Sequence, residues 1–325
     1  MGGVVAGSAI LKNRVASREL SILTVTVNNA CNLSCPHCYL QYDGSRDVIS
    51  DQVVDQIFGS KSLPKHIAIV GMEPLLNIAS IRATTEIASR AKSLGISVSV
   101  ITNGLTLDKV PDDLLYVLDE VDISLDGGRE TYQAYRGGDL RKVEAGIRRA
   151  SNVPSLTLNA LNTISTANAS FIDDMMAFVG DCPFDRVMFS PFVTTESQGI
   201  QRVRAVPVER ILELLSNSST FRSDSRAFLL VDNYHCRIER VSIARVKQFV
   251  ERWALVGKVT ILDEDPTRLG VLRVTYDGLV LSSFEALHTS WYASVARTLQ
   301  NGDDLATHLE RCIDAERRLL LLRAA

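Results

Sequence analysis

The chain has 325 residues, 46% of them hydrophobic, and a formal net charge of -3 from 35 basic and 38 acidic side chains. That length buries a sizeable core, either in one large α/β domain or in one domain with a smaller partner. The near balance of charge lacks the clustered positive excess that binding a phosphate backbone requires, so nucleic acid is not an expected partner.

Residues 1–19 read as a separate N-terminal segment, in which the mildly apolar "MGGVVAGSAI" comes before the first basic residue, Lys12. A signal peptide carries its charge ahead of the apolar stretch, so no export is expected. The run Leu319 to Leu322 is far shorter than the roughly 20 residues that span a bilayer. A cytoplasmic protein with no membrane partner is the expectation.

From residue 20 onward, β-rich runs alternate with segments of helical period. The runs are "SILTVTV" (21–27), "HIAIV" (66–70), "SVSVI" (97–101), "VDISL" (121–125), "LTLNAL" (156–161) and "RVMFS" (186–190). Repeated βα units force parallel strands with right-handed crossovers. An open doubly wound sheet or a partial barrel satisfies them, and in either the chemistry gathers at the carboxyl ends of the strands. Those ends carry the unusual residues: a cysteine loop after the first strand, "GMEP" (71–74) after the second, "TNG" (102–104) after the third and "DGG" (126–128) after the fourth.

After Phe192 the pattern changes, with "VTTESQGIQRVRAVP" long enough for a lid or an interdomain linker. The expected division is a core over residues 20–195 and a smaller α+β extension over 196–325, with a substrate-binding or capping role. Within the extension, Asp277-Gly278 between two alternating runs predicts a hairpin. From about Gly302, Leu305, Leu309, Cys312, Ile313 and Leu320 share one face of a terminal helix.

Half of the six cysteines, Cys31, Cys35 and Cys38, fall in "NNACNLSCPHCYL", while Cys182, Cys236 and Cys312 are scattered. Crowded thiols of this kind point to a metal site in a reducing compartment, not to a disulfide scaffold. Structural zinc takes four ligands, so the loop would need a distant fourth. An iron-sulfur cube held by three thiolates would instead keep one iron open.

Cys31-x-x-x-Cys35-x-x-Cys38, followed in order by "IVGMEP", "ITNG" and "SLDGG", resembles the radical S-adenosylmethionine (radical SAM) superfamily over residues 20 to about 192. The resemblance implies a partial (β/α)6 barrel with one [4Fe-4S] cluster on Cys31, Cys35 and Cys38, whose open iron chelates S-adenosylmethionine. Reduction then cleaves the cofactor to methionine and a 5'-deoxyadenosyl radical that abstracts a substrate hydrogen, with flavodoxin or ferredoxin as the kind of electron donor. It places His37 near the adenine and Glu73 on the cofactor ammonium, in a motif formed with Gly71 and with Met72, which replaces a glycine. Ser124 and Asn103 fall to the carboxylate or ribose, Arg136 to the carboxylate, and Asn159 with the turn 190–192 to the ribose and adenine. Each has a plainer alternative: a loop cap for His37, turn chemistry for Glu73, Ser124 and Asn103, and a solvated helix end for Arg136.

The hairpin resembles that of SPASM and twitch extensions, but Ser282 and Ser283 stand where the first auxiliary-cluster cysteine belongs. Without a second cluster the expected reactions need no electron sink: radical C–C bond formation, epimerisation or rearrangement of a small natural-product intermediate such as a nucleoside or sugar. Cys236, in "NYHCRIE", is a candidate hydrogen-atom donor, with a packed structural thiol as its alternative. A ribosomally made peptide is the alternative substrate, although the roughly 20 residues before the first strand are too few for a fused leader-binding domain. A non-catalytic zinc protein is the alternative of another class.

Overall fold

A computed structural model describes residues 19–38, 45–193, 203–263, 269–281 and 296–324. The N-terminal segment to residue 18, most of the long loop after Phe192, and Ser282 with Ser283 lie outside the described residues.

All six expected strands form: β1 (Ile22–Thr26), β2 (His66–Val70), β3 (Ser97–Thr102), β4 (Glu120–Ser124), β5 (Thr157–Ile164) and β6 (Arg186–Pro191). They pair in parallel and in chain order. The connecting helices are α1 (Asp51–Phe58), α2 (Ile78–Ser93), α3 (Asp112–Val117), α4 (Tyr132–Arg136), α5 (Leu140–Ala150) and α6 (Ile172–Gly180). Side chains that accept a backbone N–H start three of them: Ser50 caps α1, Asn77 caps α2 and Asp139 caps α5.

Strands buried on both faces read as nearly continuous apolar runs, which is why these were visible in the sequence. Period two then sorts the residues. Ile67, Ile69, Val98, Val100, Val121 and Ile123 point outward into the core beneath the helices. Ile22, Ala68, Leu161 and Met188 point inward and pack on one another as an apolar tier inside the curved sheet.

The parallel order continues across residue 195. After α7 (Val208–Asn217) and α8 (Ser219–Ser223) comes β7 (Ala227–Asp232), then α9 (Asn233–Ile238), α10 (Ile243–Arg252) and β8 (Val259–Leu262). β7 pairs with β6 and β8 with β7, both in parallel. Neither strand was expected from the sequence.

The expected hairpin is present as β9 (Val271–Val274) and β10 (Leu279–Leu281), joined through Gly278 at φ 83°. Its first strand pairs in parallel with β1, so it extends the core sheet on the far side from β8. With β11 (Arg297–Thr298) the sheet has, among the described residues, 11 strands in the order β11-β10-β9-β1-β2-β3-β4-β5-β6-β7-β8, in which β11 and β8 are the edges. The terminal helix α11 (Leu305–Ala324) buries Leu305, Leu309 and Cys312 of the expected face, with Ile313 half-buried and the Leu320 side chain outside the described residues. Among the described residues no helix is long and apolar enough to cross a membrane.

Candidate active site

One cavity, about 1220 Å³ including its open mouth, occupies the carboxyl ends of the strands. Cys31, Cys35 and Cys38 line its rim together with Gly71, Met72, Glu73, Asn103, Ser124 and Arg136. Residues 70 or more positions apart in sequence therefore meet at one mouth, as parallel βα units require.

The three thiols are half-buried. Burial pushes the Cys31 thiol up to about 12, and the Glu73 charge adds to the rise. Cys35 is also raised by burial, with Arg136 opposing. Thiols held protonated in this way become thiolates when a cationic centre binds them. Among the described residues no group of three His, Cys, Asp or Glu side chains is arranged to hold a metal ion. An iron-sulfur cube takes each thiolate on a different iron, and here three thiols line one cavity. This donor set fits a three-cysteine cluster.

Glu73 is 1% exposed and accepts three hydrogen bonds. Its Oε1 accepts from Thr102 Oγ1 at 2.6 Å and from Leu75 N at 3.0 Å, and its Oε2 accepts from Asn103 N at 2.8 Å. Burial raises its pKa while these bonds pull it back. Beside it, Asn28 donates to Glu73 O at 2.7 Å and to Ser80 Oγ at 2.8 Å. A Cβ on Gly71 would stand 2.5 Å from Asn28 Oδ1, so the glycine is required by a close approach. Asn103 spans to the cysteine loop, donating from Nδ2 to Asn32 Oδ1 at 2.7 Å.

Arg136 is 8% exposed and ion-paired with Asp126, which removes the solvated helix-end alternative. His37 Nε2 donates to the same carboxylate at 3.2 Å, and its ring stacks on Tyr135 with centroids 5.1 Å apart. Burial alone would raise Asp126, but His37 and Arg136 together bring it down to about 2.

Two expected site residues stand elsewhere. Asn159 is buried below the cavity, where Nδ2 donates to Asp122 Oδ1 at 2.8 Å and to Glu120 Oε2 at 3.0 Å. The β5 residues that line the cavity are Leu161 and Thr163, further along the same inward face. Cys236 is 2% exposed in the apolar core and does not line the cavity. The end of β6 and the residue after it do reach it, through Ser190 and Phe192.

The sequence reading missed Arg273. It lies on β9 opposite Thr24 of β1, lines the cavity and is 6% exposed, and one guanidinium nitrogen has no hydrogen-bond partner among the described residues. A lone charge in the otherwise apolar start of "VLRV" was the available signal, because unpaired charge is rarely buried.

Residues 25–159 match the family described as the Radical SAM superfamily. The probable GTP 3',8-cyclase of Sulfolobus acidocaldarius is 32% identical over 181 residues, covering 53% of this chain and 56% of that protein. The GTP 3',8-cyclase of Peptoclostridium acidaminophilum is 25% identical over 304 residues, 89% of this chain and 86% of that one. The chain thus spans little more than half the length of the Sulfolobus relative. Among solved structures, Streptococcus suis SuiB bound to precursor peptide SuiA aligns with a TM-score of 0.64 at 12% identity, covering 93% of this chain and 67% of that chain. The anSMEcpe structure with bound AdoMet aligns at a TM-score of 0.51 and 16% identity, over 81% and 74% of the two chains. Both likenesses concern the fold.

Proposed function

Because the chain carries a radical SAM domain over residues 25–159, we propose that it is a radical SAM enzyme acting on a small anionic metabolite, such as a phosphorylated or carboxylated nucleoside or sugar intermediate. Cys31, Cys35 and Cys38 would hold one [4Fe-4S] cluster, and Gly71, Met72, Glu73, Asn103 and Ser124 would receive S-adenosylmethionine. When bound, the cluster would supply the one-electron reduction that cleaves S-adenosylmethionine and so makes hydrogen abstraction from a substrate available, with a flavodoxin- or ferredoxin-type protein as electron donor.

The chain's own residues then orient and shield. Glu73, with three donors already on its two oxygens, offers a fixed carboxylate edge to a cation. Ile101, Leu161 and Met188 form an apolar wall beneath the mouth, which limits water around a reactive species. In this reading the described part of residues 196–325 contributes Arg273 to the substrate side of the cavity.

The observation that carries the proposal is the nitrogen of Arg273 that has no hydrogen-bond partner among the described residues, in the same cavity as the three thiols. A guanidinium buried with a free N–H selects an anion able to accept from it, a carboxylate or a phosphate. GTP, in the names of the related cyclases, is such an anion and supports this choice. In the described part of residues 196–325 the cysteines are Cys236 and Cys312, both buried. That supports a reaction without a second electron acceptor: C–C bond formation, epimerisation or rearrangement.

The test is anaerobic turnover with paired compounds, each phosphorylated or carboxylated nucleoside or sugar set against its neutral counterpart. Only the anionic members should accelerate 5'-deoxyadenosine formation. Stimulation by a peptide and by none of the anions would overturn the substrate class.

A further inference from the structure

Four segments meet at one carboxylate. Asp126 follows β4 with φ 57°, a left-handed conformation that costs a non-glycine residue steric strain. Its Oδ1 accepts from Thr163 N at 2.5 Å, and its backbone carbonyl accepts from Asn168 Nδ2 at 2.9 Å, so the strained turn is fastened to β5 and to the segment that follows it. Its Oδ2 takes the Arg136 guanidinium from the end of α4 and His37 Nε2 from the cysteine loop.

His37 is the residue immediately before Cys38 and two after Cys35. Its ring is held on one side by the Tyr135 ring, at an interplanar angle of 9°, while Tyr135 is itself fixed through Ser165 Oγ at 2.9 Å. Cys35 Sγ lies 4.0 Å from the carbonyl of Arg136, so the same cluster of contacts flanks both thiols.

We propose that Asp126 is a positioning residue for the cysteine loop: by clamping His37 against Tyr135 and holding Arg136 beside Cys35, it fixes where Cys35 and Cys38 stand before any metal arrives. The clamp rests on the cluster-loop reading above for its purpose, but not for its existence. A purely structural role for Asp126, limited to Thr163 and Asn168, would leave the loop indifferent to the His37 side chain.

The experiment therefore varies His37 and reads the metal-free full-length chain. His37→Phe keeps the ring against Tyr135 and removes the donor, whereas His37→Gln removes the ring and keeps an N–H of similar reach. Hydrogen exchange is followed at the Cys38 amide, which bonds Cys35 O at 3.1 Å. Loss of a charge-assisted hydrogen bond should speed that exchange about tenfold in His37→Phe, with amides of β2 and β3 unchanged. His37→Gln should exchange more slowly than His37→Phe. After reconstitution, His37→Phe should surrender iron to a chelator faster than wild type.

Asp126→Asn should act in the same direction where it folds, and where it does not, the His37 pair decides. Unchanged Cys38 exchange in His37→Phe would overturn the clamp. Failure of the wild-type chain to bind iron would instead overturn the cluster reading, while the exchange result would still stand.

Discussion

Asp122 and Asp126 lie four residues apart, at the foot and the mouth of the same curved sheet, with 0% and 2% exposure. Burial penalises both charges, yet Asp126 sits at about 2 and Asp122 at about 8. The difference lies in the company each keeps. Asp126 has two nitrogen cation-formers, His37 and Arg136, on one oxygen. Asp122 has the Asn159 amide, and the Glu120 charge nearby opposes its ionisation while Arg186 compensates only in part. Near it, His66 closes on Ser97 and Ser99 at 2.8 and 2.9 Å and is pushed by burial down to about 4. The foot also holds buried polar atoms without a hydrogen-bond partner among the described residues, Asp122 Oδ2 and Asn159 Oδ1, but neither residue lines the cavity. At the mouth, charges are paired to position things, and Arg273 keeps a nitrogen that has no hydrogen-bond partner among the described residues. A buried polar patch thus marks a site where it faces a cavity with bonds still to make, and not merely because it is polar.

That contrast can be broken by substitution. The largest effect should come from Asp126→Asn, which leaves Arg136 buried without its counter-charge. Chemical denaturation should read a loss of about 3–5 kcal/mol, and a loss below 1 kcal/mol would show that the mouth is no more dependent on its charges than the foot.

Next comes Arg273→Met, which keeps length and volume. It should lower kcat/KM for an anionic substrate by roughly 10- to 100-fold, the worth of hydrogen bonds to a charged group, and leave the stability of the chain nearly unchanged. Equal losses with neutral and anionic substrates would contradict the assigned role.

At the foot the sign reverses. The folded state keeps a proton on Asp122, so this group's contribution to stability is full below about pH 4 and is lost as pH rises through about 8. Asp122→Asn should flatten that slope, its advantage over wild type growing by about 1 kcal/mol per pH unit between pH 4 and pH 8. A parallel pair of stability curves would place the titration elsewhere.

Smallest of all should be Cys236→Ala. With the thiol in the core and off the cavity, 5'-deoxyadenosine formation and product formation should persist, and stability should shift by about 1 kcal/mol. Loss of product with cofactor cleavage intact would restore Cys236 as a hydrogen donor.

The strands of the core were legible because two-sided burial writes them as apolar runs, and the motifs at their ends because covalent spacing alone puts Cys31, Cys35 and Cys38, Glu73 and Asn103 in the turns after β1, β2 and β3. Depth was not legible. Asn159, Leu161 and Thr163 share one face of β5 by period two, and nothing in that period says that Asn159 lies below the cavity. β7, "AFLLVD", carried the same apolar signal as the first six strands, but it follows a long polar loop that reads as a domain boundary. Arg273 was hidden by distance along the chain, since only the pairing of β9 with β1 brings it near a loop some 240 residues earlier. Asp126 stood inside the quoted "SLDGG" as a turn former, and its partners His37 and Arg136 became visible only in three dimensions.

The most direct test of the account is the iron and acid-labile sulfide content of the anaerobically reconstituted chain, taken together with its turnover of S-adenosylmethionine under reduction. One cluster on Cys31, Cys35 and Cys38 predicts about four irons and four sulfides per chain, with 5'-deoxyadenosine as a product that disappears in Cys35→Ala. Bound zinc with no iron, or cleavage that survives Cys35→Ala, would contradict it.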